Sequence, residues 1–225
     1  MSIVQWLWRD YQPDLYIPDV QILNVPERYA YIEVSQKSLQ LQCRAWRAGR
    51  WGTYRSLCIQ APKIEIINTF FFPDPPWQAP ILALQAVILT NQPQIFIADM
   101  SFLTKKSNVY ILNNYQNIRT TLNDLPNDPQ MPEWYQQCRS PHDIFRRPIN
   151  WEETQRLCEA YLNIAKQFWQ SLSQATLLDE TDIQQHHQDL QYYKHFHKVN
   201  SSGLKFLQQS FGIDWTEDFL NYFYA

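Results

Sequence analysis

The side chains of this chain best placed to do chemistry are two amides, Asn68 and Gln85, each alone among apolar neighbours. In KIEIINTFFF, residues 63–72, strand alternation puts Ile64, Ile66, Asn68, Phe70 and Phe72 on one face. In ILALQAVIL, residues 81–89, Gln85 is the single polar side chain. A run apolar on both faces belongs at the centre of a sheet. If these strands pair through the Pro-rich connection PDPPWQAP, centred near Pro76 and Trp77, then Asn68 and Gln85 face each other. Such a pair has two readings. The amides satisfy each other or nearby backbone, as buried polar groups usually do, or they form a polar spot in a cavity, where a few convergent groups orient a ligand.

Positioning that pair requires a sheet. Between residues 29 and 100 the runs YAYIEVS, LQLQCRAW, TYRSLCIQ, KIEIINTFFF, ILALQAVIL and IFIADM are short and rich in branched and aromatic residues. Breakers such as RAGRWG and TNQPQ separate them, and spacing this tight predicts an antiparallel meander. Before about residue 28, Pro13, Pro18 and Pro26 mark an irregular lead-in with one short helix. After a polar connection through Pro126, Pro129 and Pro132 the pattern turns helical. Asn150 with Glu153 is a capping-box signature, and Leu157, Tyr161, Ile164, Phe168 and Leu172 recur at helical spacing, predicting a helix over 151–175. A second helix is predicted over 180–209, broken near Asn200-Ser201-Ser202-Gly203, and a short third after Gly212 with Asp214 as its cap. Strands first and helices later place the chain in the α/β (α+β) class, a central antiparallel sheet covered by helices, as one domain over residues 1–225.

Composition narrows the function. Apolar residues make up 45% and charged residues 18%, enough for a sizeable core. The aromatic excess fills that core or stacks on a flat ligand. Four glycines and no Gly-rich loop disfavour a nucleotide site. The four cysteines lack a C-x-x-C pair, which suggests neither zinc nor a disulfide framework, and reduced thiols fit a cytoplasmic protein. A charged, Pro-containing N-terminus and the lack of a long apolar run argue against a signal peptide and a membrane span. Arg44, Arg47, Arg50 and Arg55 cluster in CRAWRAGRWGTYR. They form a solvated strand edge or a site for ligand carboxylates or an acidic partner. With a net charge of −3, nucleic-acid binding is disfavoured. His186, His187, His195 and His197 are spaced badly for a shared metal and are expected on a solvated helix face. His142 could approach a ligand, although a lone His is more often structural.

The segment from Asn68 through FFFPDPPWQAPILALQ to IFIADM resembles the central hairpin of the ferredoxin-dependent bilin reductases. SPHDIF at residues 140–145, AYLNIAKQFWQSL, VNSSGLKFLQQSFGIDW and the closing DFLNYFYA resemble further landmarks of that family in the same order. The resemblance spans most of residues 40–225. It implies a three-layer α/β/α sandwich with a central antiparallel sheet, holding biliverdin or a partly reduced bilin between the sheet and the C-terminal helices. No bound cofactor is implied. Reduced ferredoxin delivers electrons singly, the linear tetrapyrrole carries the radical, and side chains deliver protons.

Carried over position by position, Asn68 matches a family Asn or His beside the bilin pyrroles, and Asn200 matches an Asn of some members. Gln85 stands where the family typically carries a proton-donating Asp, and Ser201 where several members carry a second Asp. Neither replacement titrates near neutral pH, so neither supplies a proton as a carboxyl does. Asp99 in IFIADM matches a later family Asp on the following strand and is expected to be an exposed structural carboxylate rather than the missing donor. Glu65 lies on the face opposite Asn68. Phe70, Phe72, Trp77, Phe145, Trp169 and Phe206 are candidate pocket walls. Arg44, Arg47, Arg55, Lys105, Lys106, Arg146 and Arg147 are candidate partners for bilin propionates or an acidic ferredoxin. The implied activity is reduction of biliverdin or dihydrobiliverdin to a phycobilin-type pigment. A non-catalytic bilin carrier or assembly factor on the same fold, and a reductase of another linear tetrapyrrole such as a chlorophyll catabolite, remain open.

Overall fold

The computed structural model describes residues 2–17, 19–90, 92–103, 109–125, 127–201 and 203–225, and the side chains of residues 92–94 are also outside the description. Pro18, Lys105, Lys106, Pro126 and Ser202 therefore lie outside it. The six predicted strand runs form a meander: β2 (Tyr31–Val34), β3 (Leu39–Ala48), β4 (Gly52–Ala61), β5 (Ile64–Pro73), β6 (Ile81–Leu89) and β7 (Gln92–Ser101). β1 (Val20–Leu23) and β8 (Ile144–Arg146) complete an eight-stranded antiparallel sheet in the order β1-β3-β4-β5-β6-β7-β8, with β2 also pairing β3. Gly52 is needed at the start of β4. A Cβ there would sit 2.2 Å from the carbonyl oxygen of Phe72, closer than any side chain tolerates.

Alternation splits the apolar residues between two cores. One face presents Trp46, Tyr54, Ile67, Phe71, Leu84 and Phe96 to α1 (Ile3–Asp10), α3 (Val109–Thr120) and α5 (Trp151–Ser171). The other presents Leu57, Ile59, Ile66, Phe70 and Phe72 to α6 (Glu180–Asn200), α7 (Gly203–Phe211) and α8 (Ile213–Phe223). The result is the expected three-layer α/β/α sandwich. Two short helices, α2 (Glu27–Ala30) and α4 (Glu133–Cys138), precede β2 and β8. Among the described residues no helix is long and apolar enough to cross a membrane.

The predicted helix starting at Trp151 does so under an Asn150 cap that accepts the Glu153 N–H, and its last turn tightens into a 3₁₀ turn over Leu172–Gln174. The Glu153 carboxylate reaches back to the N–H of Ile149, one residue before the cap. The break expected near 200–203 separates α6 from α7. Gly212 caps α8 and Asp214 sits in its first turn, which corrects the expectation that Asp214 is the cap. Helix α3 was not expected. Its signal is Ile111, Tyr115, Ile118 and Leu122 at helical spacing, obscured by Asn and β-branched residues of low helix propensity.

Between α5 on one face and α6 on the other, the chain passes the tip of the β5–β6 hairpin and is tied to it. Gln78 N–H donates to the Thr176 carbonyl (2.8 Å), Leu178 N–H to the Pro76 carbonyl (2.7 Å), and Trp77 bridges Leu177.

Candidate active site

Asn68 and Gln85 are direct cross-strand partners in β5 and β6, as the hairpin centre predicts. Both are partly accessible, and among the described residues neither amide makes a hydrogen bond. This decides against the reading in which they satisfy each other. The contrast lies one residue along and on the other face. There Ser56 and Thr69, also cross-strand partners, are buried and joined hydroxyl to hydroxyl at 2.8 Å. Unpaired amides on an apolar face have capacity left for a ligand.

The two amides line a pair of adjoining cavities of about 20 and about 40 Å³ under the C-terminal helices. The first is walled by Phe70, Asp99, Tyr135, Tyr193 and His197, the second by Leu57, Phe206, Leu207 and Phe219, and Ser201 and Tyr224 line both. Spaces this small hold about a water each. A ligand much larger than water fits between the sheet and α6–α8 only if the two layers separate. A wider cleft of about 470 Å³ lies on the opposite side of the sheet between Trp6, Glu65 and Trp151. Of its polar groups, the Ser2 and Thr154 hydroxyls already bond local backbone, so it is the weaker candidate.

Of the residues singled out from sequence, Asn68, Gln85, Ser201, Phe70 and Phe206 meet at these cavities. Phe72 stays on the same face, stacked on Phe70 with ring centres 5.4 Å apart. The others do not come together with them. Asn200 is exposed and donates to the carbonyl of Phe196 in its own helix. Trp77 packs against the opposite core beneath Arg50. Phe145 is buried against Tyr135 in a third small cluster. Arg146 points to the α5 side, where it pairs with Glu153 at 3.1 Å, and Trp169 is buried on that side too. Strand parity accounts for Arg146: it pairs with Phe96, whose side chain faces α5, whereas Phe145 pairs with Ile97 on the cavity face.

Two expectations are overturned by burial. Asp99 is 2% exposed, because β7 carries it onto the cavity face and the loop after α4 closes over it. Its carboxylate accepts from the N–H and hydroxyl of Ser140 and from the Ser101 hydroxyl at 3.1 Å. Burial outweighs these bonds and pushes its pKa up to about 6, with Asp143 adding to the rise. His186 and His197 are buried as well, while His187 and His195 are exposed. His186, Leu190, Tyr193 and His197 follow one helical stripe, the periodicity that could have shown it.

His197 sits at the cavity with its ring 4.3 Å from that of Tyr193 and 5.4 Å from that of Phe70, and its Nε2 has no hydrogen-bond partner. Burial lowers its pKa to about 3, so it is neutral when folded. The unfolded chain takes up a proton below about pH 6.5 that the folded chain refuses. Stability therefore falls by about 1.4 kcal/mol per pH unit from this group as pH drops from about 6.5 towards 3. Thermal melts of His197→Gln should lack this component of the acid slope; an unchanged slope relative to the parent would refute it.

The row through Phe70 continues in both directions. Arg55, Phe70, Ala83 and Asp99 are successive cross-strand partners on β4 to β7. Three strand spacings of about 4.8 Å put its ends ~14 Å apart. Arg55 lies over the ring of Tyr222 at 4.8 Å, and its Nε and Nη1 are buried without a partner. It makes no ion pair among the described residues. Lys194 is close by over Phe72, and burial, then the charge on Arg55, bring its pKa down to about 8. By contrast Arg44 stacks on Trp8, Arg47 pairs with Asp74 and Arg147 with Asp128. Among the described residues no group of three or more His, Cys, Asp or Glu is arranged to hold a metal.

The site combines a small aromatic cavity lined by free amides and Asp99 with a cation, Arg55, at the other end of the Asp99 row and outside the cavity lining. The family model described as ferredoxin-dependent bilin reductase matches residues 16–224. No curated protein sequence matches the chain. Phytochromobilin synthase from tomato, solved in complex with biliverdin, superposes with a TM-score of 0.81 at 15% identity, over 99% of this chain and 82% of that one. At that identity the superposition speaks for the fold, and the family model speaks for membership: this chain belongs to the ferredoxin-dependent bilin reductases.

Proposed function

We propose that this protein reduces one double bond of biliverdin or a dihydrobiliverdin to give a phycobilin-type pigment, with reduced ferredoxin as the donor. The observation that carries the reading is the unpartnered Asn68–Gln85 pair in an aromatic cavity. An amide presents both N–H donors and a carbonyl acceptor, the set that matches the pyrrole N–H groups and terminal lactam carbonyls of a linear tetrapyrrole. Phe70 and Phe206 supply flat apolar walls, and Arg55 with Lys194 supplies cations for the propionates.

Gln85 and Ser201 do not titrate, which favours the rival reading of a bilin carrier without chemistry. Asp99, a titratable carboxyl at the same cavity, favours reduction. An anaerobic absorbance time course separates the two, with biliverdin and, in parallel, its dihydro derivative, under excess protein and reduced ferredoxin. The expected result is a transient radical absorbance followed by a blue-shifted product. A bound-bilin spectrum unchanged under electron supply would leave only the carrier.

A further inference from the structure

Proton supply is the step that the replacements at positions 85 and 201 leave open. Asp99 lies on the wall between two spaces. On the inner side it lines the cavity of Asn68 and Gln85. On the outer side its hydrogen-bond partners Ser101 and Ser140 line a cleft of about 510 Å³, bounded by His142, Arg139 and the exposed Tyr192. Tyr193 lines both spaces. A buried carboxyl reached by two hydroxyls from a surface cleft, and facing a ligand cavity on its other side, has the connections of a relay.

We propose that Asp99 is the proton donor to the tetrapyrrole, reloaded from the cleft through the hydroxyls of Ser140 and Ser101. The proposal rests on the reductase reading above. One reduced ferredoxin gives one electron to the bilin and is oxidised. The Asp99 O–H bond then breaks as a C–H or N–H bond forms on the bilin radical anion, leaving the Asp99 carboxylate. A hydroxyl of Ser140 or Ser101 passes a proton to that carboxylate and takes one from cleft water. A second ferredoxin and a second passage complete the two-electron, two-proton reduction.

The surroundings suit the cycle. The ionisable groups around Asp99 are Asp143 in the loop, Tyr115 of α3, Tyr135 and Cys138 of α4, and Tyr193 of α6, with His197 of α6 lining the same cavity. Burial raises the three tyrosines and the cysteine and lowers His197, which keeps all of them neutral. Asp143 is held by Arg139 at 3.1 Å. Asp99 is thus the group of this set poised to exchange a proton near neutral pH, as a general acid must be.

The test is single-turnover reduction by Asp99→Asn, with bilin binding followed separately by absorbance. Binding should persist while product formation slows by about a hundredfold or more, and the one-electron-reduced bilin should accumulate. Asp99→Glu should restore part of the rate. Product formed at the parental rate by Asp99→Asn would overturn the proposal and leave the reductase reading intact; loss of all spectral change in the parent protein would overturn that reading instead. Should Asp99→Asn not fold, the pH profile of the parent decides. A rate that falls as pH rises past about 6 supports the relay, and a rate flat from about pH 5 to about pH 8 overturns it.

Discussion

Replacing Gln85 by Asp is expected to raise the single-turnover rate of bilin reduction by about tenfold to a hundredfold near neutral pH. General acids contribute on the order of 10²–10⁴ when correctly placed, and position 85 lines both cavities beside Asn68. A carboxyl there would lose hydration, and its pKa would rise into the range where a protonated fraction survives near pH 7. Stopped-flow absorbance with reduced ferredoxin reads the change. The gain should be largest in an Asp99→Asn background, where the new acid replaces the missing one. If bilin binds and the rate of Gln85→Asp equals that of the parent, position 85 does not approach the reacting atoms.

The amide pair could be read from sequence because strand alternation and a short hairpin fix both face and register. Asn68 and Gln85 then had to meet. Asp99 could not be read in this way. IFIADM is short, and a carboxylate in it looks like a surface residue unless its partner is known. That partner, Ser140, lies 41 residues on in sequence, beyond the reach of local pattern. Arg146 illustrates the complementary failure: its neighbour Phe145 is on the cavity side, and in a three-residue strand no alternation was visible to separate them. The C-terminal helices were legible in outline, yet which face of α6 is buried required the 186, 190, 193, 197 stripe to outweigh the polarity of histidine.

Truncating Phe71 to Ala should be among the most destabilising single changes. Phe71 has no exposure, and its ring meets Phe168 at 5.1 Å and Trp169 at 5.5 Å in edge-on contacts. Lost burial plus the cavity left behind cost about 3–5 kcal/mol. For a chain of this length that lowers the melting temperature by roughly 6–20 °C. Phe71 points away from Asn68 and Phe70, so the absorption spectrum of bound bilin should be unchanged in whatever fraction stays folded. Calorimetry and absorbance on the same sample check both halves. A melting temperature within about 2 °C of the parent would show that the α5 layer repacks around the gap.

The strap that ties residues 176–178 to the hairpin tip has a kinetic consequence. It fixes the start of the C-terminal layer at the end of the same strands that carry Asn68 and Gln85, while the far end of that layer closes over the cavities through Tyr224. If the strap holds while the far end lifts, the layer is expected to open as a leaf on a hinge, without the core on the α5 side. Amide protons of α7 and α8 should then exchange with solvent through a local opening, while those of β5 and α5 should wait for global unfolding. Binding of a bilin is then expected to be gated by that opening: the association rate should rise with bilin concentration and level off at the hinge's own rate.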